Sequence, residues 1–244
     1  MTAKRVFDVA FAACGLALAS PLLAIVALGI YLYDFHNPLY IAIRVGCGGR
    51  PFRMIKFRSM VVNADRTGVT STSAADARVT PVGRFVRKFK LDELVQLWNV
   101  LRGDMSFVGP RPNVPSGVAV YTPLERHLLD VAPGITDFAS IVFADEGEIL
   151  RGHSDTDAAY DQLIRPWKSR LGLFYITHRG IWLDLQLIGL TVLAIVSRHA
   201  ALAKLHAVLQ RLSAPEDLAR VALRRDTLQP QSPPGADGAM ASRV

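Results

Sequence analysis

The longest apolar stretch of the chain lies near its N-terminus. Val9 to Tyr33 include no charged side chain, and Lys4 and Arg5 come shortly before them. A helix of about 25 residues would extend roughly 37 Å, enough to cross the hydrocarbon core of a bilayer. Apolar sequence continues well past Ala17-Leu18-Ala19, which imitates a signal-peptide cleavage site, so a cleaved signal peptide is rejected. The stretch predicts a membrane helix.

Ser20 and Pro21 fall in the middle of this helix. Proline removes one backbone donor and bends a helix, so the residues leave two arrangements open: a kinked span, and a helix that returns to the face it entered. Basic residues lie on both flanks of the stretch, which is the charge expected on the cytoplasmic side. This distribution agrees with the returning helix, because a simple span would place one basic flank outside.

Shorter patterns predict the remaining elements. Leu39–Ile43 and Phe52–Phe57 predict two strands of a hairpin, and the glycines between them suit a tight turn as well as they suit phosphate binding. Ile181–Val196 is apolar but is interrupted by Asp184 and Gln186, so it predicts a helix at the membrane interface rather than a span. Other helical patterns cover Gly83–Lys90, Pro115–Pro133, Tyr160 up to Pro166, and Ala200–Arg225, where Ser213 and Glu216 form a predicted capping box.

One further amphipathic helix is predicted within Lys90–Pro112. Its apolar residues recur at helical spacing and should be buried: Leu91, Leu94, Val95, Leu97, Trp98 and Leu101. Asp92 and Glu93 stand in its first turn and Arg102-Gly103 at its end, which is typical of helix boundaries.

The positive charge of the chain is concentrated in one region. The net charge is +7, and Arg44–Arg111 alone holds thirteen Lys or Arg against five Asp or Glu. Such an excess indicates polyanionic ligands such as nucleotides, phosphates or an anionic membrane. Aromatic residues are not interleaved with the basic ones, which argues against nucleic acid. The two cysteines and six histidines show no disulfide or zinc spacing.

Asp92 and Glu93 have two interpretations. The simpler one is that they complement the dipole of their helix. The other is that they lie where a phosphate binds, in which case a hard cation such as Mg²⁺, or several arginines, must offset the repulsion. Arg111 stands between Pro110 and Pro112, and a guanidinium on such a rigid backbone suits bidentate phosphate recognition.

Eight short motifs together resemble the bacterial sugar transferase family, the monotopic phosphoglycosyl transferases that begin glycan assembly on polyprenyl phosphate. In chain order they are Arg44-x-Gly46, Lys56–Met60, Thr80-x-Val82-Gly83-Arg84, Leu91–Leu94, Asn99–Leu101, Gly103–Ser106, Gly109–Pro112 and Pro133–Thr136. The chain departs from the family pattern at Val95 (usually Pro), Asp137 (usually Gly) and Ser140 (usually Gln). The last two put the details of nucleotide or sugar recognition in question.

The resemblance implies a fold and a place in the cell. The fold class is α+β and mainly helical, with a re-entrant membrane helix broken at Ser20-Pro21, a short β-hairpin, and a small cytoplasmic catalytic domain with amphipathic interfacial helices. The expected divisions are a membrane helix (1–36), a catalytic domain (37–198), C-terminal helices (199–228) and a disordered tail (229–244). The expected location is the cytoplasmic face of the bacterial inner membrane.

The resemblance also implies roles for single residues. Asp92 would be the nucleophile, Glu93 would hold Mg²⁺ together with Asp92, and Arg87 and Arg111 would stabilise the transferring phosphoryl group. The substrate-binding residues would be Arg44, Lys56, Arg58, Pro110, Pro112 and Thr136.

The implied reaction moves a sugar 1-phosphate from a UDP-sugar to polyprenyl (undecaprenyl) phosphate and releases UMP. A phosphosugar-aspartyl intermediate would divide it into two steps. The partners are then the UDP-sugar, the lipid acceptor and membrane lipids, with no nucleic acid; a homodimer is left open. Three alternatives also stay open: a membrane-tethered module that binds nucleotide or anionic lipid without catalysis, a scaffold for glycan assembly, and a one-step enzyme in which Asp92 acts as a base.

Overall fold

The computed structural model describes residues 2–67 and 71–236, and most of this chain is helical. The first part contains α1 (Ala3–Asp34), β1 (Leu39–Val45), β2 (Pro51–Phe57), α2 (Pro81–Lys88), α3 (Leu91–Leu94), α4 (Leu97–Arg102), β3 (Ser106–Val108), α5 (Pro115–Ala119) and β4 (Gly134–Thr136). The second part contains α6 (Phe138–Val142), α7 (Glu146–Ile149), α8 (Thr156–Ala159), α9 (Arg165–His178), α10 (Ile181–Val196), α11 (Arg198–Arg211) and α12 (Glu216–Leu223). The predicted mainly helical fold with a small hairpin is confirmed.

Helix α1 is the helix of the described residues that is long and apolar enough to cross a membrane, judged by length and composition. Its backbone stays helical through Ser20 and Pro21, and the Ser20 hydroxyl donates to the Ala17 carbonyl at 2.8 Å. Any change of direction at the predicted break therefore occurs within a continuous helix.

Both ends of α1 contact the rest of the protein. Near the N-terminus, Arg5 donates to the carbonyls of Val100 and Leu101 at 2.5 and 2.7 Å. At the C-terminus, Asp34 accepts two hydrogen bonds from Arg58, at 2.5 and 2.6 Å. Between these ends one face of the helix packs on the protein, where Ala12, Val26 and Ile30 are buried, and the other face is exposed, with Leu18 84% exposed.

The hairpin predicted from the two short apolar runs is confirmed. β1 and β2 pair antiparallel from Leu39 opposite Phe57 to Val45 opposite Pro51. A short turn of 3₁₀ helix connects them, and Gly48 in this turn has a φ of 66°, which favours glycine. The glycine cluster therefore forms the turn of the hairpin.

A second pair of strands was not predicted. β3 and β4 are three residues each and pair in parallel, Ser106 with Gly134 and Val108 with Thr136. The two segments approach each other so closely that Gly109 and Gly134 must both be glycine, because a Cβ on Gly134 would lie 2.1 Å from the Gly109 nitrogen. This close approach places the Pro110–Pro112 segment against β4.

The prediction of one amphipathic helix within Lys90–Pro112 was wrong in two respects. The structure divides the segment into α3 and α4, and Trp98, predicted to be buried, is 50% exposed. Polar Asn99 faces the interior instead: its amide accepts from Ile55 N (3.0 Å) and donates to the Arg53 carbonyl (2.7 Å). Hydrogen bonding to strand β2, rather than apolar periodicity alone, thus sets which face is buried.

The main hydrophobic core joins α6, α9, α10, α11 and α12. Phe138, Leu171, Leu187, Leu205 and Leu209 are all almost completely buried in it. The C-terminal helices therefore share one core with the preceding residues. The domain boundaries inferred from the sequence stay predictions.

Several local predictions in this half need correction. Pro166 lies in the first turn of α9 rather than at a helix end, and a π-helical turn, Tyr160–Ile164, precedes it. The Pro115–Pro133 segment forms the five-residue α5 and a 3₁₀ turn, Glu125–Leu129, instead of one helix. Ser213 does not cap α12. Its backbone is left-handed, with a φ of 57°, and Pro215 is the residue immediately before the helix.

Part of the tail contacts the protein. Residues 229–236 hydrogen bond to the protein: Gln231 N donates to the Gln162 carbonyl, and the carbonyls of Ser232 and Pro234 accept from Arg170 and Thr122. These contacts join residues 229–236 to the protein, residues 237–244 lie outside the described residues, and the disorder of the tail stays a prediction.

We expect Asn99→Ala to destabilise the protein, because three hydrogen bonds of a fully buried amide are lost and their partners on β2 are left unsatisfied. The free energy of unfolding should fall by roughly 2–4 kcal/mol. Thermal melting of the detergent-solubilised protein measures the effect. Gln210→Ala, at an exposed amide of α11, is the control; an equal loss in both variants would contradict the role given to Asn99.

Candidate active site

The acidic pair is held at the end of a sharp reversal of the chain. Lys90 has a φ of 54°, and this left-handed residue separates α2 from α3, where Asp92 and Glu93 follow. Helix α3 packs on β2, which carries Lys56. Three separate segments therefore meet around the two carboxylates.

Glu93 forms a very short ion pair with Arg111, which lies 18 residues further along the chain. A second nitrogen of Arg111 lies 3.3 Å from the other Glu93 oxygen and also donates to the Ile135 carbonyl of β4 at 3.2 Å. Burial alone would raise the pKa of Glu93, but Arg111 outweighs it and the pKa falls to about 2. Glu93 is therefore ionised, and it fixes the guanidinium in place.

Asp92 has a different environment. It is 9% exposed, and its carboxylate accepts no hydrogen bond within 2–67 and 71–236. Burial, together with the neighbouring Glu93 charge, raises the pKa of Asp92 to about 6, against the pull of nearby cations. At neutral pH this carboxylate is mostly ionised and free to react.

Four cations surround the pair and leave two positive charges in excess. They are Lys56, Arg87, Lys90 and Arg111. Arg87 is oriented by a 2.7 Å hydrogen bond from its Nε to the Ser59 hydroxyl. Burial, with help from Arg111 and Arg44, lowers the pKa of Lys56 to about 8. A buried positive excess of this kind is suited to a phosphate-bearing ligand.

A cavity of about 540 Å³ opens beside this centre. Among its lining residues are five that the sequence predicted to bind substrate or phosphate: Arg44, Lys56, Pro110, Arg111 and Pro112. Asp92, Glu93 and Arg87 do not line it. Arg111 connects the two regions, since it lines the cavity and also binds Glu93.

Two predicted substrate residues are engaged elsewhere. Arg58 binds Asp34 and donates from its Nε to the Asn37 carbonyl at 2.8 Å, so its guanidinium holds the end of α1. The Thr136 hydroxyl lies 2.6 Å from the Thr191 hydroxyl of α10 and joins two elements. Ser20 and Pro21 lie in the middle of α1 and do not line the cavity.

The structure adds residues that sequence reasoning missed or assigned to other roles. Lys168 of α9 lines the cavity and pairs with Glu146, which also lines it. Asp137 and Ser140 also line it, and Tyr160 does so from the π-helical turn. The departures at 137 and 140 were a signal in the sequence, whereas nothing local distinguished Lys168.

The residues present fit a magnesium ion only in part. No group of three or more His, Cys, Asp or Glu within 2–67 and 71–236 could hold a metal by itself. Mg²⁺ is commonly held by one or two carboxylates together with substrate phosphates, and the unpaired Asp92 next to Glu93 supplies that number. The donor set thus suits an ion that arrives with a diphosphate.

Known proteins resemble this chain over most of its length. An undecaprenyl-phosphate glucose phosphotransferase of Komagataeibacter xylinus is 39% identical over 199 residues, which are 79% of this chain and 35% of the relative. A UDP-N-acetylgalactosamine-undecaprenyl-phosphate N-acetylgalactosaminephosphotransferase of Aeromonas hydrophila is 34% identical, over 81% of this chain and 44% of the relative.

A UDP-glucose:undecaprenyl-phosphate glucose-1-phosphate transferase of Caulobacter vibrioides (strain ATCC 19089 / CIP 103742 / CB 15) is 38% identical, over 78% of this chain and 68% of the relative. The chain therefore spans between about one third and two thirds of the length of these relatives. The family model described as bacterial sugar transferase matches residues 1–198. The chain belongs to the bacterial sugar transferase family.

Proposed function

We propose that this protein transfers a sugar 1-phosphate from a UDP-sugar to polyprenyl (undecaprenyl) phosphate and releases UMP, as the first step of glycan assembly. The observation that carries the proposal is Asp92: a buried carboxylate without a hydrogen-bond partner in the described chain, surrounded by four cations. The family and the named activities of the relatives support the reaction class.

In the first step an Asp92 oxygen attacks the phosphorus that carries the sugar. The bond from this phosphorus to the bridging oxygen breaks, and UMP leaves with that oxygen and its electron pair. In the second step an oxygen of the lipid phosphate attacks the same phosphorus, and the bond to Asp92 breaks, which regenerates the carboxylate. Two successive displacements let donor and acceptor use one centre in turn.

The cations have distinct parts in this scheme. Arg111, held by Glu93 and by the Ile135 carbonyl, presents its guanidinium in a fixed orientation to the transferring phosphoryl oxygens. Lys56 and Arg44 line the cavity where the donor diphosphate would lie. Arg87, oriented by Ser59, neutralises charge close to Asp92.

Mg²⁺ bound by Asp92 and Glu93 together with the diphosphate would offset the repulsion between phosphates and carboxylates. Glu93 has a second function that does not depend on the ion, since it positions Arg111.

The arrangement of α1 supports a re-entrant helix on the cytoplasmic face of the inner membrane. A helix of 32 residues is roughly 48 Å long if straight, and a single crossing would separate its ends by a bilayer. Here Arg5 and Asp34, close to the two ends, both contact the same body, and the exposed middle carries the apolar surface. Such a helix would hold the site at the depth of the lipid phosphate.

We expect Asp92→Asn to abolish UMP release, since the amide is a poor nucleophile, with a loss of about 10³-fold or more. Without acceptor, the wild-type protein incubated with a UDP-sugar labelled with ³²P in the phosphate next to the sugar should retain the label on Asp92, and the variant should not. Asp104→Asn, at a carboxylate outside the charged centre, is the control. Turnover without a labelled protein would favour a one-step enzyme with Asp92 as a base, and an unchanged Asp92→Asn would favour a binding module.

We expect kcat/KM for the donor to show two limbs against pH. Activity should fall below about pH 6, where Asp92 becomes protonated, and above about pH 8, where Lys56 loses its charge. Initial rates of UMP release measure the profile. Lys56→Arg should move the alkaline limb upward and leave the acid limb in place, because arginine stays protonated. A wild-type rate that is constant down to pH 5 would contradict the role of Asp92.

We expect both flanks of α1 to be accessible from the same side of the membrane. Single-cysteine variants Thr2→Cys and Asn37→Cys, made in a Cys14→Ala, Cys47→Ser background, should react with an impermeant maleimide in inside-out vesicles and not in right-side-out ones. Labelling of the two positions from opposite sides would show a crossing helix instead.

A further inference from the structure

We propose that Asp137, Glu146 and Lys168 bind the sugar of the donor, and that they select a neutral hexose over one that carries a carboxylate. This inference rests on the proposed function and assigns one wall of the cavity within it. The three residues come from the N-cap of α6, from α7 and from α9, and all line the cavity that Arg111 also lines.

The position of the cluster relative to Arg111 identifies the part of the donor that it meets. Glu93 has the largest effect in raising the pKa of Arg111, and Asp137 and Glu146 add to it from the cavity side. Arg111 therefore pairs with Glu93 and lines the same cavity as these two carboxylates, within electrostatic reach of both. In the donor, the sugar is joined through one oxygen to the phosphorus that Arg111 would bind, so a sugar on the cavity side of Arg111 would lie within reach of the cluster.

Asp137 has an unused oxygen in this wall. Its Oδ1 accepts from the backbone nitrogen and the hydroxyl of Ser140, at 2.7 and 2.6 Å. Its Oδ2 has no hydrogen-bond partner within the described chain, although the residue is only 2% exposed and lines the cavity. This oxygen is not one of the fully buried unpaired atoms, so it is open to the cavity, where a sugar hydroxyl can donate to it.

Lys168 and Glu146 provide the complementary groups. The Lys168 ammonium binds the Glu146 carboxylate and lies 5.1 Å from the centre of the Tyr160 ring. Burial alone would lower the pKa of Lys168, but Glu146 raises it above its usual range, so the ammonium stays charged. An ammonium has three donors, and the cluster can therefore donate to and accept from hydroxyl groups.

The charge of the cluster sets the selectivity. On this wall of the cavity, two carboxylates and one ammonium leave a formal net charge of −1, and burial raises the pKa of Asp137, whereas the cations Arg44, Lys56 and Arg111 also line the cavity. The carboxylate of a hexuronate would be repelled there, while the hydroxyl or acetamido groups of a neutral hexose would not. The relatives named for glucose and for N-acetylgalactosamine both act on neutral sugars.

The test compares donors and variants in UMP release by the full chain with polyprenyl phosphate. The donors are UDP-glucose, UDP-N-acetylglucosamine, UDP-N-acetylgalactosamine and UDP-glucuronate. Asp137→Asn keeps the cap on α6, since asparagine also accepts from the Ser140 nitrogen, and Glu146→Gln can still accept from Lys168. Glu148→Gln, on the same helix as Glu146 but paired with Arg151 at the surface, is the matched control.

We expect Asp137→Asn and Glu146→Gln each to raise KM for the best neutral donor about tenfold, with kcat changed by less than about threefold. The ratio of kcat/KM for the neutral donor to kcat/KM for UDP-glucuronate should become smaller in both variants. Glu148→Gln should match the wild type. Inhibition by UMP should be unchanged in the two cavity variants, because UMP lacks the sugar.

Each other outcome is decisive. A KM that is unchanged in both cavity variants, or a wild-type preference for UDP-glucuronate, overturns the inference alone. A UMP inhibition constant that rises with KM would assign the cluster to the nucleotide instead and also overturns it. Wild-type protein that releases UMP from no UDP-sugar overturns the proposed function itself. If Asp137→Asn does not fold, judged by its melting curve, Glu146→Gln decides the question.

Discussion

The burial of two adjacent carboxylates is the constraint on which the active region depends. Asp92 and Glu93 repel one another, and a buried charge is stable only when other groups compensate it. The compensation comes from three segments: Lys56 from β2, Arg87 and Lys90 from the end of α2 and the turn after it, and Arg111 from the turn after β3. Correct folding of these three segments is therefore a condition for the acidic pair to exist in this form.

The same compensation makes the two carboxylates different. Glu93 forms an ion pair with Arg111 and has a low pKa, whereas Asp92 has no hydrogen-bond partner in the described chain and has a raised pKa. An ionised carboxylate that no hydrogen bond holds is the better nucleophile of the two. One local sequence, Asp-Glu, thus has two different environments, because only Glu93 pairs with the Arg111 guanidinium.

Helix α1 and the catalytic region are joined by polar contacts rather than by a loose linker. Lys4 binds Asp184 of α10 at 2.5 Å, and Asp184 also accepts from the Tyr175 hydroxyl at 2.7 Å. At the other end, Arg58 connects β2 to Asp34. These partly buried pairs give the apolar helix a defined orientation to the site, which matters if one substrate is soluble and the other is a lipid.

Sequence by itself determined the elements with strong local signals. The apolar helix, the glycine-linked hairpin, the bounds of α10 and the family all follow from residues within short windows, because periodicity, turn residues and motif spacing are local properties. Only the tertiary structure decided that Arg58 pairs with Asp34 at the end of α1 and that Trp98 is exposed. It also decided that β3 pairs with β4, and that Glu146 and Lys168 line the same cavity as Arg111. The physical reason is that ion pairing and burial depend on distances in space between residues far apart in the chain, and no local pattern encodes those distances.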